Sequence, residues 1–175
     1  MNITVEEYLD VEAKSQSLGF ELRGPICMLP NNLDELSSLE ESIHFSSALT
    51  LVKLLEEASI PASIMEAEGG DRKYLVQKNV TWYGPVLLFA AAEIAQNPQL
   101  VSISLGVIAN YLTDYFKGIP IGEQQVELSV VTERLRKTKT TETQSTRKFN
   151  YKGNVEGLRI LEERILKECN DDSSN

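Results

Sequence analysis

The stretch QVELSVVTERLRK at residues 125–137 is followed, after a tip rich in threonine and serine, by RKFNY at residues 147–151. Apolar residues occupy every second position from Val126 to Val130, which is the period of a β-strand with one buried face. The second run brings the chain back along the first. We therefore predict a long β-hairpin over residues 125–151.

This predicted hairpin is long for a chain of 175 residues. Its first strand, residues 125–137, would span ~43 Å at ~3.3 Å per residue. A compact domain of this chain length has a diameter of only ~40 Å. We therefore expect the strands to bend or the tip of the hairpin to project from the domain.

Helices are predicted on both sides of the hairpin. Before it, two apolar runs at 85–96 and 99–117 are separated by a proline and predict two buried helices, the second ending at Gly118. After it, Asn154 predicts the start of a C-terminal helix. The apolar stripe of that last helix consists of Val155, Leu158, Leu161 and Ile165.

The N-terminal half supplies four more predicted elements. Thr4 and Glu7 have the spacing of a helix capping box, and Gly69-Gly70 supplies the positive φ that a tight turn needs. The predicted elements are a helix over 5–17, a strand over 20–23, a helix over 45–58 and a second hairpin that joins 62–67 to 72–78.

Together these patterns predict an α+β fold. The predicted molecule is a single domain over residues 1–170, with an antiparallel sheet built from two hairpins and packed against apolar helices. A long basic hairpin precedes the C-terminal helix. The polar residues 171–175 are predicted to be a disordered tail.

The charge of the chain is unevenly distributed. The formal net charge is −9. Residues 1–71 contain fourteen acidic and three basic residues, whereas residues 134–152 contain seven basic residues and one acidic residue. The chain is therefore polarised between an acidic N-terminal region and a basic arm, the name used here for residues 134–152.

Several functional classes are disfavoured by the sequence. An acidic chain is a poor general binder of nucleic acid, whose affinity depends on cationic contacts to phosphate groups. The apolar runs are shorter than the ~20 residues that a membrane-spanning helix needs. The N-terminus has no signal-peptide pattern, so we predict a cytoplasmic protein in which Cys27 and Cys169 are reduced thiols.

The basic arm is the strongest candidate for a partner-binding surface. Its partner is predicted to be another protein or a second copy of this chain, which would make the protein an oligomer. Nucleic acid is disfavoured because the nearby aromatic residues Phe149 and Tyr151 lie close to the base of the arm. The alternative is that the charges only protect an exposed hairpin. The candidate residues are Arg134, Arg136, Lys137, Lys139, Arg147 and Lys148.

Chemically reactive candidates are few. Glu66, Glu68 and Asp71 could hold a cation or divide acid and base roles, although Arg72 and Lys73 follow directly and can neutralise them. No glycine-rich phosphate-binding pattern is present, and we predict no cofactor and no metal.

The sequence does not indicate a catalytic role for His44 or Cys27. His44 lies between two apolar residues, and the sequence has no nucleophile elbow beside which it could serve as a base. Cys27 has no neighbouring cation in the sequence to lower its pKa. We therefore predict structural roles for both residues.

The C-terminal part of the chain, Ser102–Lys167, resembles the small effector-associated accessory components of bacterial conflict systems. The segments that carry the resemblance are IANYL at 108–112, VELSV at 126–130, FNYKG at 149–153 and residues 155–165. The chain departs from that pattern in its longer N-terminal region and its long basic arm.

The resemblance implies a non-enzymatic partner of a separate effector, with no catalytic residues. We predict an interaction or accessory protein that binds through its polarised surface. The first alternative is a small enzyme or ligand-binding domain that uses Glu66, Glu68 and Asp71, and the second is nucleic-acid binding through the basic arm.

Overall fold

The computed structural model describes residues 1–69, 73–76, 80–137 and 139–171, without the side chains of 135–137, 143 and 171. Its strands are β1 (Asn2–Glu7), β2 (Ile26–Leu29), β3 (Ile43–Phe45), β4 (Ala62–Ile64), β5 (Lys73–Leu75), β6 (Thr81–Phe89), β7 (Gln125–Lys137) and β8 (Glu142–Gly153). Its α-helices are α1 (Val11–Ser17), α2 (Ser47–Glu57), α3 (Ala91–Gln96), α4 (Leu100–Tyr115) and α5 (Leu158–Asp171). The mixture of helices and strands confirms the predicted α+β class.

Six of the strands form one mixed sheet in the order β1-β8-β7-β6-β2-β4. The pairs β1/β8, β7/β8 and β2/β6 are antiparallel, whereas β6/β7 and β2/β4 are parallel. β3 and β5 form a separate parallel pair. The sheet is therefore mostly antiparallel, with helical crossovers at its parallel junctions.

The long hairpin, the second apolar helix and the C-terminal helix are confirmed. β7 and β8 pair from Val126, opposite Gly153, to Lys137, opposite Glu142. α4 is followed by Gly118, whose φ of +87° is the left-handed conformation that ends a helix. Asn154 Oδ1 accepts a hydrogen bond from the Gly157 amide at 3.0 Å, just before α5.

The predicted helix over residues 5–17 is wrong in its first half. Residues 2–7 form β1, which pairs along β8 from Asn2 to Glu7, and the helix begins only after Asp10. Asp10 caps it by accepting the Ala13 amide at 3.1 Å. β1 packs Ile3 and Val5 against the main core, and that burial outweighs the local capping pattern at Thr4.

The predicted helix over 85–96 is also wrong. Residues 81–89 form β6, and only 91–96 are helical. β6 lies in the middle of the sheet and is buried on both faces, so its sequence is a continuous apolar run rather than an alternating one. Such a run has the composition of a buried helix, and its neighbours in the fold determine which of the two forms.

The predicted hairpin that joins 62–67 to 72–78 does not form in the described part of the chain. Residues 62–64 pair in parallel with β2, and 73–75 pair in parallel with β3, so the two halves enter different sheets. Part of the expected turn, residues 70–72, lies outside the described residues, as do 172–175 of the predicted tail. The strand predicted at 20–23 is an irregular segment, and the strand lies at Ile26–Leu29 instead.

The sheet has a buried core on each face. Side chains of Ile26 and Met28 enter the larger core under α2, α4 and α5, whereas those of Cys27 and Leu29 enter a smaller core under α1 and the segment around Leu33. This is the two-residue alternation of a strand covered on both sides. Among the described residues, no helix combines the length and the apolar character needed to cross a membrane.

Candidate functional site

The β7–β8 hairpin extends beyond the strands on either side of it. The last β7 residue paired with β6 is Thr132, and the last β8 residue paired with β1 is Arg147. Among the described strands, residues 133–137 and 142–146 are in register only with each other, and one further backbone hydrogen bond joins the Tyr8 amide to the Thr146 carbonyl at 2.9 Å. At ~3.3 Å per residue this projecting end, defined as Glu133–Lys137 with Glu142–Thr146, extends ~17 Å past the sheet.

Four of the six predicted basic residues lie at or beyond the projecting end. Arg134 is half-buried and lies opposite Ser145 in the register. Arg136 and Lys137 lie opposite Thr143 and Glu142. Lys139 is exposed in the bend that follows β7. The fold thus gathers these four positions at the free end of the hairpin.

The other two predicted residues lie within the sheet. Arg147 and Lys148 are both half-buried and pair with Glu7 and Glu6 in the β1 register. The Lys148 ammonium lies 5.0 Å from the centre of the Tyr8 ring, where it is stabilised by a cation–π interaction. Lys148 therefore has a structural contact within the folded domain.

The acidic N-terminal region presents a compact exposed patch. Two short 3-10 turns, Leu33–Glu35 and Leu39–Glu41, cover the smaller core with Leu33 and Leu36. Their carboxylates face outward. The four exposed residues, named here the acidic turns, are Asp34, Glu35, Glu40 and Glu41.

The predicted carboxylate cluster is not assembled as a metal site among the described residues. Glu66 accepts a hydrogen bond from the Tyr74 hydroxyl at 2.7 Å, Glu68 is exposed in a turn, and Asp71 lies outside the described residues. No group of three or more histidine, cysteine, aspartate or glutamate residues in the described part of the chain is placed to hold a metal ion.

His44 and Cys27 are both buried in strands. His44 is 2% exposed, donates from Nε2 to the Met65 carbonyl at 2.9 Å and stacks on the Tyr74 ring. Burial lowers its pKa, so the ring is neutral at physiological pH. Burial raises the pKa of Cys27 to about 11, which keeps it a protonated thiol. Neither residue has the environment of a catalytic base or nucleophile.

A cleft at the base of the projecting end was not predicted from the sequence. It lies between α1, the irregular segment 20–25, the start of α3 and Glu133, the first β7 residue of the projecting end, and it encloses about 450 Å³. Its walls contain both polar and apolar side chains. The residues that define these walls are Glu12, Gln16, Phe20, Leu88, Ala91 and Glu133.

Glu133 is the unusual group in this cleft. Its Oε1 atom is closed to water and has no hydrogen-bond partner among the described residues. Burial, together with the nearby carboxylates of Glu12 and Asp10, raises the pKa of Glu133 to about 7. A glutamate two positions after the buried Val131, on the same face of β7, is the sequence signal that could have indicated it.

Comparison with known proteins provides no identity for the chain: no protein-family model, no curated protein and no solved structure matches it. A fold class is compatible with many activities. Function is therefore inferred from the arrangement of residues at the projecting end and in the adjacent cleft.

Proposed function

We propose that this protein is a non-enzymatic interaction protein and that the projecting end of the β7–β8 hairpin binds a protein partner with an acidic surface. The observation that carries the proposal is that the hairpin runs past both neighbouring strands with basic residues at its free end. An accessory component of a cytoplasmic bacterial defence system is the biological setting that the sequence resemblance implies.

The backbone of the projecting end supports this role. In the part of the chain that the structure describes, no strand pairs with the outer edge of β7 beyond Thr132 or with that of β8 beyond Arg147. Unpaired strand edges attract other chains, and native proteins protect them with charged residues that admit only a complementary surface. A basic edge therefore favours an acidic partner and disfavours uncontrolled aggregation.

The first partner to consider is a second copy of this chain. The acidic turns of one molecule offer four exposed carboxylates to the projecting end of another. Contacts of this type are strengthened at low ionic strength because charges in water are screened over ~10 Å at 0.1 M salt. A contact between two different surfaces closes into a ring or continues into a filament.

The decisive test is light scattering during size-exclusion chromatography at low and high salt. The arm variant combines Arg136→Glu, Lys137→Glu and Lys139→Glu. We expect the wild-type chain to associate at low salt and to dissociate at high salt, and we expect the arm variant to stay monomeric. A second variant, Glu40→Lys with Glu41→Lys, should lose association in the same way and regain it when mixed with the arm variant.

A matched control distinguishes the effect of the arm on association from the effect of overall charge. The control variant changes net charge by the same amount at three exposed lysines outside the arm. It should associate as the wild type does. If it does not, association depends on overall charge and not on the arm. The control lysines are Lys53, Lys117 and Lys167.

A monomeric wild-type chain would exclude the second copy and leave a different protein as the partner. A photo-crosslinking residue at the exposed Thr140 would then be irradiated in the native cell, with the same residue at Lys53 as the control. A protein crosslinked from position 140 alone, and lost in the arm variant, supports the proposal. Crosslinks to nucleic acid, or none that depend on the arm, would overturn it.

A further inference from the structure

The cleft at the base of the projecting end has one charged wall and one apolar wall. We propose that it binds a small organic cation, in which an ammonium or guanidinium group meets Glu133 and an apolar body lies against the apolar side chains of the cleft. This site is separate from the protein-binding role of the projecting end and does not depend on it.

The charged wall lacks a hydrogen-bond donor. Glu133 Oε1 is closed to water and has no partner among the described residues. A buried acceptor left without a donor destabilises the folded protein, and such groups in native structures call for an explanation. Glu133 itself lines the cleft, so a cationic group that enters would bring the opposite charge close to this carboxylate.

The charges that face Glu133 are predominantly negative. From α1, Asp10 and Glu12 raise its pKa, in addition to the larger effect of burial. From the irregular segment 20–25, Arg23 lines the cleft but is paired with Glu21 at 3.0 Å, and both side chains are 78% exposed. From β8, Gln144 is uncharged. A cation is therefore favoured over an anion at this wall.

The apolar lining of the cleft is suited to a hydrocarbon body. Phe20, Leu22 and Leu88 line the cleft together with three consecutive alanines, residues 90–92, at the start of α3. The enclosed volume of about 450 Å³ lies within the range of small-molecule sites. A ligand with both a cationic head and an apolar body matches the two walls, whereas a metal ion would leave the apolar wall unused.

Calorimetry with two matched probes tests the proposal. Phenethylamine carries a cationic head on an apolar body, and 2-phenylethanol has the same body with a neutral head. At about pH 8 we expect the amine to bind at least about tenfold more tightly than the alcohol, because only the amine pairs with Glu133. Equal binding of the two probes, or no binding of the amine at millimolar concentration, would overturn the proposal.

Variants locate the site. Glu133→Gln keeps the shape of the side chain and should weaken amine binding at least about tenfold, whereas Glu156→Gln, at an exposed position outside the cleft, should not change it. Ala91→Phe fills the apolar wall without changing charge and should abolish binding of both probes. Retention of amine affinity in both cleft variants would place the probe elsewhere.

The pH dependence supplies a readout that a merely structural role would not give. The amine stays protonated from about pH 5.5 to about pH 8, whereas Glu133 ionises in that interval. Wild-type affinity should therefore rise about tenfold or more over this range, and that of Glu133→Gln should stay flat. A flat wild-type profile contradicts the assignment of Glu133 as the cation partner.

Discussion

Glu127 and Glu133 lie six residues apart on β7 and point to the same face of the sheet. Glu127 accepts hydrogen bonds from Lys152 Nζ at 3.1 Å and from Gln125 Nε2 at 3.2 Å. Glu133 has a buried oxygen without a partner among the described residues, and its pKa is raised to about 7. Glu127 is part of a hydrogen-bonded network, whereas Glu133 takes up a proton near neutral pH or, as proposed above, pairs with a cationic ligand.

The difference arises from what covers each end of the strand. Around Glu127 the face is polar, and Asn150 on β8 joins Ser129 at 2.8 Å to Glu6 on β1 at 3.1 Å. Around Glu133 the same face is covered by α1, which brings Glu12 close to it. Identical residues on one strand thus differ because the packing above them differs. Structural and functional carboxylates are distinguished here by their partners rather than by the strand.

The largest expected effect comes from Glu133→Gln. The folded-state pKa of about 7 lies above the ordinary value of 4.5, so the folded protein favours the protonated carboxyl. The wild type therefore loses stability as pH rises from 4.5 through 7, and the variant does not. Above about pH 7.5 we expect the variant to be more stable by about 1–2 kcal/mol, a value discounted because water still reaches part of the side chain.

Urea unfolding at about pH 4 and about pH 8 measures this difference. The gain should vanish at the lower pH because both folded and unfolded wild-type chains are then protonated at this position. The matched control is Glu156→Gln, which lies at an exposed position and should show no such pH-dependent gain. A variant that is less stable than wild type at both pH values would show that Glu133 has a stabilising partner.

Asn150→Ala should produce the next largest effect, because Asn150 belongs to the hydrogen-bonded network around Glu127. The side chain of Asn150 joins β7 to β1 through the hydrogen bonds to Ser129 and Glu6. We expect a loss of about 1 kcal/mol in the free energy of unfolding. The control is Asn2→Ala, at an exposed position on the same face of the sheet. An equal loss of unfolding free energy in this control would mean that the hydrogen bonds of Asn150 do not contribute to stability.

Lys152→Ala should have a smaller effect. The Lys152 side chain is 60% exposed and that of Glu127 is 34% exposed, so water reaches the ion pair. We expect a loss within about 0.5 kcal/mol at physiological salt, and less at higher salt. Thermal unfolding at two salt concentrations measures it, and a loss above about 1.5 kcal/mol would show a buried pair.

Glu12→Gln should produce the smallest change in stability and a clear change in titration. Removing the Glu12 charge should lower the pKa of Glu133, but the pKa should stay above its ordinary value because burial is the larger cause. Carbon-detected NMR titration of the glutamate carboxyl groups measures this directly. An unchanged Glu133 titration would mean that the two carboxylates are too far apart to interact.

Much of the secondary structure could be predicted because its signal is local. β7 shows strict alternation, and α4 and α5 combine helical apolar spacing with a recognisable end or cap. Strand length compared with domain size predicted that the strands bend or that the tip of the hairpin projects. These features depend on residues close together in the chain, which is why the sequence is sufficient for them.

The candidate cleft could not be predicted in the same way. Its walls come from α1, from residues 20–25, from the start of α3 and from β7, segments separated by most of the chain. The carboxylates that the sequence favoured, Glu66 and Glu68, are adjacent in the chain but are not brought to a common site. The chain around these carboxylates passes from the β2/β4 pair to the β3/β5 pair.

From its residues alone, this chain specifies an α+β fold, a basic hairpin and an acidic N-terminal region. Composition and the strand or helix spacing of apolar residues depend on residues that are close together in the chain, so the sequence is sufficient to determine them. The tertiary structure determined that residues 81–89 are a central strand, that residues 2–7 join β8, and that Glu133 lies beside α1 without a partner among the described residues. Each of these depends on burial against distant segments, and burial is a property of the packed molecule.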